Sequence, residues 1–305
     1  MRVAVSGSAG RLGRAMLRAL EDAPYTGPFG PIGWGRDRLD LDRPEAVGRL
    51  LDTDRVELLV HAAAWTDVDG CARDPQLAMR RNGLATGVIA AACAERGIDL
   101  VLVSTNEVFD GRRADGLAYG PADVTGPVNA YGASKLAGER AALEACAAAP
   151  APGRLGIVRT AWLFGPPGND FPAKILAAAD RARAAGTALR VVADEVGNPT
   201  YTPDLAEGIA ELIGSGDVSG MHHVVNAGWV SRAGWARELL RQAGLPVPID
   251  EIRAADWERA STPPLWAALQ PTALPSGEAL RSWELALADY LPALLRSRAP
   301  ARATR

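Results

Sequence analysis

Three glycines, Gly7, Gly10 and Gly13 in GSAGRLG, separate a short β-prone segment, residues 2–6 (RVAVS), from a helical run, RAMLRALEDA. Strand, glycine turn and helix in that order constrain the fold more than any other stretch. Glycines there let the backbone turn tightly and approach a pyrophosphate, while the helix N-terminus offers free N–H groups and a positive dipole end. The spacing is G-x-x-G-x-x-G rather than the dehydrogenase G-x-G-x-x-G, and its place directly after a strand points to nucleotide binding. Further strands are expected at residues 31–34, 56–64, 100–104, 154–159, 189–193 and 222–226. Helices are expected at about 76–96, with Gly97 as its C-cap signal, from Tyr131, at about 172–185, and from Thr202 and Pro203. Residues 145–153 (ACAAAPAPG) read as a breaker-rich loop. The alternation predicts an α/β fold, a Rossmann-type doubly wound parallel sheet. From Gly228 on the chain reads as helical and Trp-rich around STPPLWAALQPTALPSG, a smaller C-terminal substrate-binding lobe over the cleft. The expected division is 1–165 and 196–226 for the nucleotide-binding domain, 166–195 and 227–295 for the lobe, and a disordered tail over 296–305.

Tyr131 and Lys135 in YGASK lie four residues apart, so a helix presents both on one face. A phenol has a pKa of about 10, and a nearby ammonium favours the phenolate, which makes Tyr131 a candidate proton donor tuned by Lys135. A Y-x-x-x-K spacing also arises by chance. Against chance stands the scarcity of lysine, for Lys135 and Lys174 are the only two in an arginine-rich chain. The strand before it ends in Ser104 and Thr105, where a hydroxyl can hold a carbonyl oxygen, at the sheet end where ligands of α/β folds bind. Arg36 follows the second strand, the place where NAD enzymes carry an acid and NADP enzymes an arginine. NADPH is therefore favoured. Asp42 reads as a helix cap and Asp40 as a residue within reach of the adenine. The small side chains of VELLVHAAA leave room for a cofactor backbone, and in TAWLFGPPGND packing explains Trp162 and Phe164 as well as ligand contact does.

The composition excludes several classes. A formal charge of −3 and a pI near 5.7 make no electrostatic case for nucleic acid or an anionic membrane, and no apolar run reaches the roughly 20 residues of a membrane span. The N-terminal MRVAVSGSAG lacks the features of a signal peptide. Cys71, Cys93 and Cys146 are odd in number and scattered, which suits reduced thiols in a cytoplasm, and no metal is expected, since the three histidines form no ligand pattern and His61 reads as structural.

With these pieces in order, residues 1–226 resemble the extended short-chain dehydrogenase/reductase superfamily and, within it, the dTDP-4-dehydrorhamnose reductase family. The resemblance runs through VSGSAGRLG, HAAAWTDVD, STNEVFDG, NAYGASKLAGE, RTAWLFG and DEVGNPTYTPDLAEGI, of which YGASKLAGE and HAAAWTDVD are the specific blocks. It implies Thr105, Tyr131 and Lys135 as the catalytic triad. It further implies NADPH, with NADH as the alternative, on Gly7, Gly10, Arg11, Leu12, Gly13, Arg36, Ala62, Ala63, Ala64, Tyr131 and Lys135. Thr105, Asn106, Glu107 and Trp162 would meet a nucleotide sugar, whose C4 keto group is reduced. The implied partner is that small molecule alone, with a homodimer as the assembly common in the family. The family reads S-T-D-Y-V-F where this chain has STNEVF, so Asn106 and Glu107 imply an altered sugar choice. The family's R-P-x-x-S segment is replaced by STPPLWAALQP. An NAD-dependent epimerase or dehydratase of the same superfamily and a cofactor-binding regulatory subunit are the competing functions, and Arg36 and the intact triad respectively speak against them.

Overall fold

The computed structural model describes residues 1–298. β1 (Val3–Ser6) leads through the glycine turn into α1 (Arg11–Glu21), followed by β2 (Ile32–Trp34), α2 (Val47–Asp54) and β3 (Leu58–His61). Then come α3 (Val68–Arg73), α4 (Pro75–Ala78), a π-helical turn at Met79–Leu84, α5 (Ala85–Glu95) and β4 (Asp99–Thr105). After α6 (Ala130–Ala148) and β5 (Leu155–Thr160), the chain forms β6 (Leu163–Phe164), α7 (Phe171–Ala185), β7 (Leu189–Val192), β8 (Val196–Gly197) and β9 (Thr200–Tyr201). The last elements are α8 (Thr202–Gly214), β10 (Gly220–His223), β11 (Val230–Ser231), α9 (Arg232–Gln242), β12 (Ile249–Ile252) and α10 (Trp283–Arg298).

Six strands form one parallel sheet in the order β2-β1-β3-β4-β5-β10. Period-two alternation sorts its side chains between two cores. Val3, Val5, Val60, Val101 and Val158 face α1 and α8 through Met16, Leu20, Leu205 and Ile209. Ala4, Leu59, Leu100, Leu102 and Ile157 face the other way, onto Leu51, Ile89 and Ala142 of α2, α5 and α6. The chain reverses its direction of travel between β1 and β3, and at that switch point the C-terminal strand ends open a crevice. A third core joins α7, β7, α9 and α10 around Phe164, Leu176, Val191, Trp235, Trp283 and Tyr290.

Several expectations change in the structure. Residues 76–96 do not make one helix: the π turn widens the coil at Asn82, whose Oδ1 accepts from the Trp65 N–H (2.7 Å) and whose carbonyl accepts from Thr86 Oγ1 (2.7 Å). α6 continues to Ala148, because the alanine run favours helix until Pro150 stops it. Asp42 caps no helix; both its oxygens accept from Arg81, at 2.7 and 2.6 Å. The region after Gly228 is less helical than expected. β12 pairs with β7, and residues 257–282, rich in proline, form no helix or strand beyond isolated bridges at Trp266, Leu269 and Ser282. Of the residues expected as a tail, Arg296, Ser297 and Arg298 instead finish α10, with Arg298 bonded to Asp180, and 299–305 lie outside the described residues.

Candidate active site

At the end of β1 the turn is shaped for close approach. Gly7 has φ +68°, and a Cβ there would stand 2.9 Å from the Ala63 backbone; one on Gly13 would stand 2.2 Å from the Gly7 carbonyl. Both need glycine. Gly10 begins α1 with no side-chain cap, so the first N–H groups of that helix remain open toward the crevice. Arg11 lines the crevice, but its guanidinium is already committed, donating to the Gly165 and Asn169 carbonyls and to Asp170, the cap of α7. Arg36, exposed at the end of β2, pairs loosely with Asp40 (3.7 Å) and Asp42 (3.4 Å).

The reacting end is built where β4 and α6 converge. Asn129 caps α6 by accepting from the Gly132 N–H at 2.8 Å. Gly132 lies directly on the turn Asn106–Val108, so close that a Cβ would be 2.0 Å from the Glu107 carbonyl. That contact brings Tyr131 into the cleft that Thr105 also lines, the Thr105 hydroxyl accepting from the Glu107 N–H at 3.2 Å and donating to Asn106 Oδ1 at 3.3 Å. Lys135 is buried one turn along, its Nζ donating to the Val103 carbonyl at 2.8 Å. Ser104 gives its proton to the buried Glu139, itself held by Arg159 at 3.0 and 2.7 Å, which leaves Thr105 as the hydroxyl facing the cleft.

Lys135 was expected to lower the Tyr131 pKa. The structure has the opposite sign: burial first, and then the charge of Glu107, push the phenol up, while the lysine is aimed at the strand backbone. Burial also brings Lys135 down to about 8, with Glu139 opposing. Burial raises the Glu107 carboxyl as well, against an Asn129 bond that lowers it.

Every site residue expected from sequence lines one cleft of 670 Å³: Gly7, Gly10, Arg11, Leu12, Gly13, Arg36, Ala62, Ala63, Ala64, Thr105, Asn106, Glu107, Tyr131, Lys135 and Trp162. A second cavity of 440 Å³ continues it past Asn106, Glu107 and Trp162 into the C-terminal lobe. The amide of Asn106 is turned toward that lobe, donating to the Ala267 carbonyl at 3.0 Å. Trp162, at φ +43°, stacks on Trp235 (centroids 6.0 Å apart, planes at 10°) and carries the Arg232 guanidinium 3.5 Å from its ring. The sequence reading missed Arg81, which bonds Asp42 and lies over Trp65, and the cluster of Glu195 between Arg232 (3.7 Å) and Arg259. No local motif marks these residues. Lys174, the second lysine, lines the 440 Å³ cavity.

A family profile described as the RmlD substrate binding domain matches residues 1–296. The dTDP-4-dehydrorhamnose reductase of Streptomyces griseus is 35% identical over 300 residues, 95% of this chain and 93% of the relative. The chain belongs to the RmlD-like reductase family. Among solved structures, the dTDP-4-dehydrorhamnose reductase of Clostridium acetobutylicum superposes with a TM-score of 0.86 at 29% identity, over 97% of this chain and 100% of that one. The Bacillus anthracis family member, solved in complex with NADP, gives 0.83 at 29% identity over 96% and 99%. This membership extends beyond residue 226, where the motif resemblance stopped, and takes in the C-terminal lobe.

Proposed function

We propose that the protein is an NADPH-dependent reductase of the C4 keto group of a dTDP-activated 4-keto-6-deoxy sugar. The observation that carries it is the convergence of Thr105, Tyr131 and Lys135 on the same cleft as the glycine turn. Relatives named as dTDP-4-dehydrorhamnose reductases, one solved with NADP, support the substrate and the cofactor.

The residues fit that cofactor. The turn at Gly7 and Gly13 is a cradle that any Cβ would fill, and the uncapped start of α1 suits a pyrophosphate. Arg36 is free enough to take a 2′-phosphate, its pairs with Asp40 and Asp42 being long and exposed. Bound NADPH supplies the hydride. Thr105 orients the keto oxygen by donating its hydroxyl proton. Tyr131 protonates that oxygen as charge develops on it, and its raised pKa keeps the phenol loaded with a proton at neutral pH. Lys135 holds a positive charge beneath them, against burial.

The test is NADPH oxidation on a freshly made dTDP-4-keto-6-deoxy-L-hexose, followed by absorbance. Tyr131→Phe is expected to lose about 10²–10⁴-fold in rate while still binding NADPH. Undiminished turnover in that variant would remove Tyr131 from the mechanism. Cofactor retained and recycled without net oxidation would favour an epimerase. The proposal also takes 1–165 with 196–226 as the cofactor domain and 166–195 with 227–295 as the sugar lobe, supported by the core that α7, β7, α9 and α10 form apart from the sheet, into which Phe164 reaches from the first. It takes the cytoplasm as the compartment, supported by three free cysteines, and a homodimer, supported by exposed Leu84, Val88 and Leu143 on α5 and α6 and the turn before them. No helix of the described residues is long and apolar enough to cross a membrane.

A further inference from the structure

Arg36 and Arg81 both line the cofactor cleft, and they share one carboxylate. Asp42 accepts from Arg81 Nε at Oδ1 (2.7 Å) and from Arg81 Nη2 at Oδ2 (2.6 Å), the paired geometry in which a guanidinium holds a carboxylate best. Arg36 Nη2 stands 3.4 Å from that same Oδ2, with 74% of its side chain exposed. Asp42 is thus taken by Arg81, and Arg36 is left facing the cleft.

Three contacts keep Arg81 in that place. It belongs to the π-helical turn at Met79–Leu84, which Asn82 pins to Trp65 by accepting from its N–H (2.7 Å) and donating to its carbonyl (3.0 Å). Its guanidinium carbon lies 5.6 Å from the centre of the Trp65 ring. Backbone, ring and carboxylate together leave only 21% of the side chain exposed.

The charges that meet here are Arg36, Arg81, Asp40 and Asp42, and they sum to zero. Arg80 and Asp74, from the same stretch of chain as Arg81, add one charge of each sign. Without Arg81 both oxygens of Asp42 turn to Arg36, and a 2′-phosphate meets an arginine already paired beside an uncompensated acid. Without Asp42 as well, the balance returns and that competitor is gone. Asp40 stays throughout and weighs equally on every variant.

We infer that Arg81 is a positioning residue for cofactor choice: by occupying Asp42 it keeps Arg36 available to the 2′-phosphate of NADPH. This rests on the NADPH reading above and deepens it. Cofactor preference then belongs to the Arg81–Asp42–Arg36 chain of contacts and not to Arg36 alone.

The experiment titrates the full chain with NADPH and with NADH, read by nicotinamide fluorescence with no sugar present, in the wild type, Arg81→Ala, Asp42→Ala and the double variant. NADH lacks only the phosphate, so a general loosening of the fold or of the adenine site cancels in the ratio of the two Kd values. The wild type is expected to prefer NADPH by at least about 10-fold, the size of one charged hydrogen bond. Arg81→Ala should lower that preference about fivefold, the upper end for an exposed ion pair, and Asp42→Ala should raise it. The double variant should return to within about twofold of the wild type. An unchanged preference in Arg81→Ala overturns the inference and leaves the NADPH reading standing. A double variant as poor as Arg81→Ala also overturns it, because Arg81 would then meet the phosphate itself. Equal affinity of the wild type for both cofactors removes the NADPH reading and the inference with it, whereas a protein that shows the expected pattern and reduces no keto sugar loses the reductase reading alone.

Discussion

Tyr131 and Lys135 sit one helical turn apart, yet burial drives their pKa values in opposite senses. It penalises the anion of a phenol and the cation of an amine, so the tyrosine rises while the lysine falls to about 8. Both shifts favour uncharged forms, and only the lysine crosses into the working range. Above its pKa the ammonium loses its proton and its field at the reacting oxygen disappears. The rate of NADPH-dependent reduction should therefore fall on the alkaline side with an apparent pKa near 8. Lys135→Arg keeps its charge at every working pH, so its slower reaction should lack that limb. A profile for the wild type that stays level well above pH 8 would contradict the assignment. At this scale the Y-x-x-x-K spacing was readable because a helix has a fixed period. The sign of the tyrosine shift was not, because depth and the Glu107 charge come from other parts of the chain.

α6 organises the element scale. Glu139, one turn beyond Lys135, is buried with Arg159 of β5, and its oxygens take Ser104 from β4 as well. One helix is thus bolted to two strands beneath the active site. Removing one partner of such a pair strands a buried charge, and Glu139→Gln is expected to cost about 3–5 kcal/mol in urea unfolding. Because Glu139 also sustains the Lys135 cation, the alkaline limb of the same variant should move to lower pH. A variant that unfolds like wild type with an unmoved limb would deny both roles. Most elements here were legible, since apolar runs and breakers act locally. The π turn at Met79–Leu84 was hidden: it answers to Asn82 bonding Trp65 and to Gly138 of α6, where a Cβ would come within 2.6 Å of the Asn82 carbonyl.

For the molecule as a whole, two buried histidines set the response to acid. Burial holds His61 at about 3 and His223 at about 4, below the 6.5 of an exposed imidazole. Both are neutral in the folded state and protonate on unfolding, so their contribution is fully present above pH 6.5 and is lost as the pH falls toward those values. Stability should decline below pH 6.5 at up to about 1.4 kcal/mol per pH unit for each histidine. Urea midpoints from pH 7 to 5 measure this, and an unchanging midpoint would oppose it. Taken alone, the sequence determined the parallel sheet, the glycine turn and the Tyr131–Lys135 helix, because each depends on short-range backbone geometry and periodicity. Only the tertiary structure decided that Glu195 would gather Arg232 and Arg259, that Trp162 would be held between Trp235 and Arg232, and that Glu107 would be locked by Asn129 at the junction of two cavities. Those contacts join residues far apart in the chain, and a carboxylate's partners and depth exist only once the two lobes have closed on it.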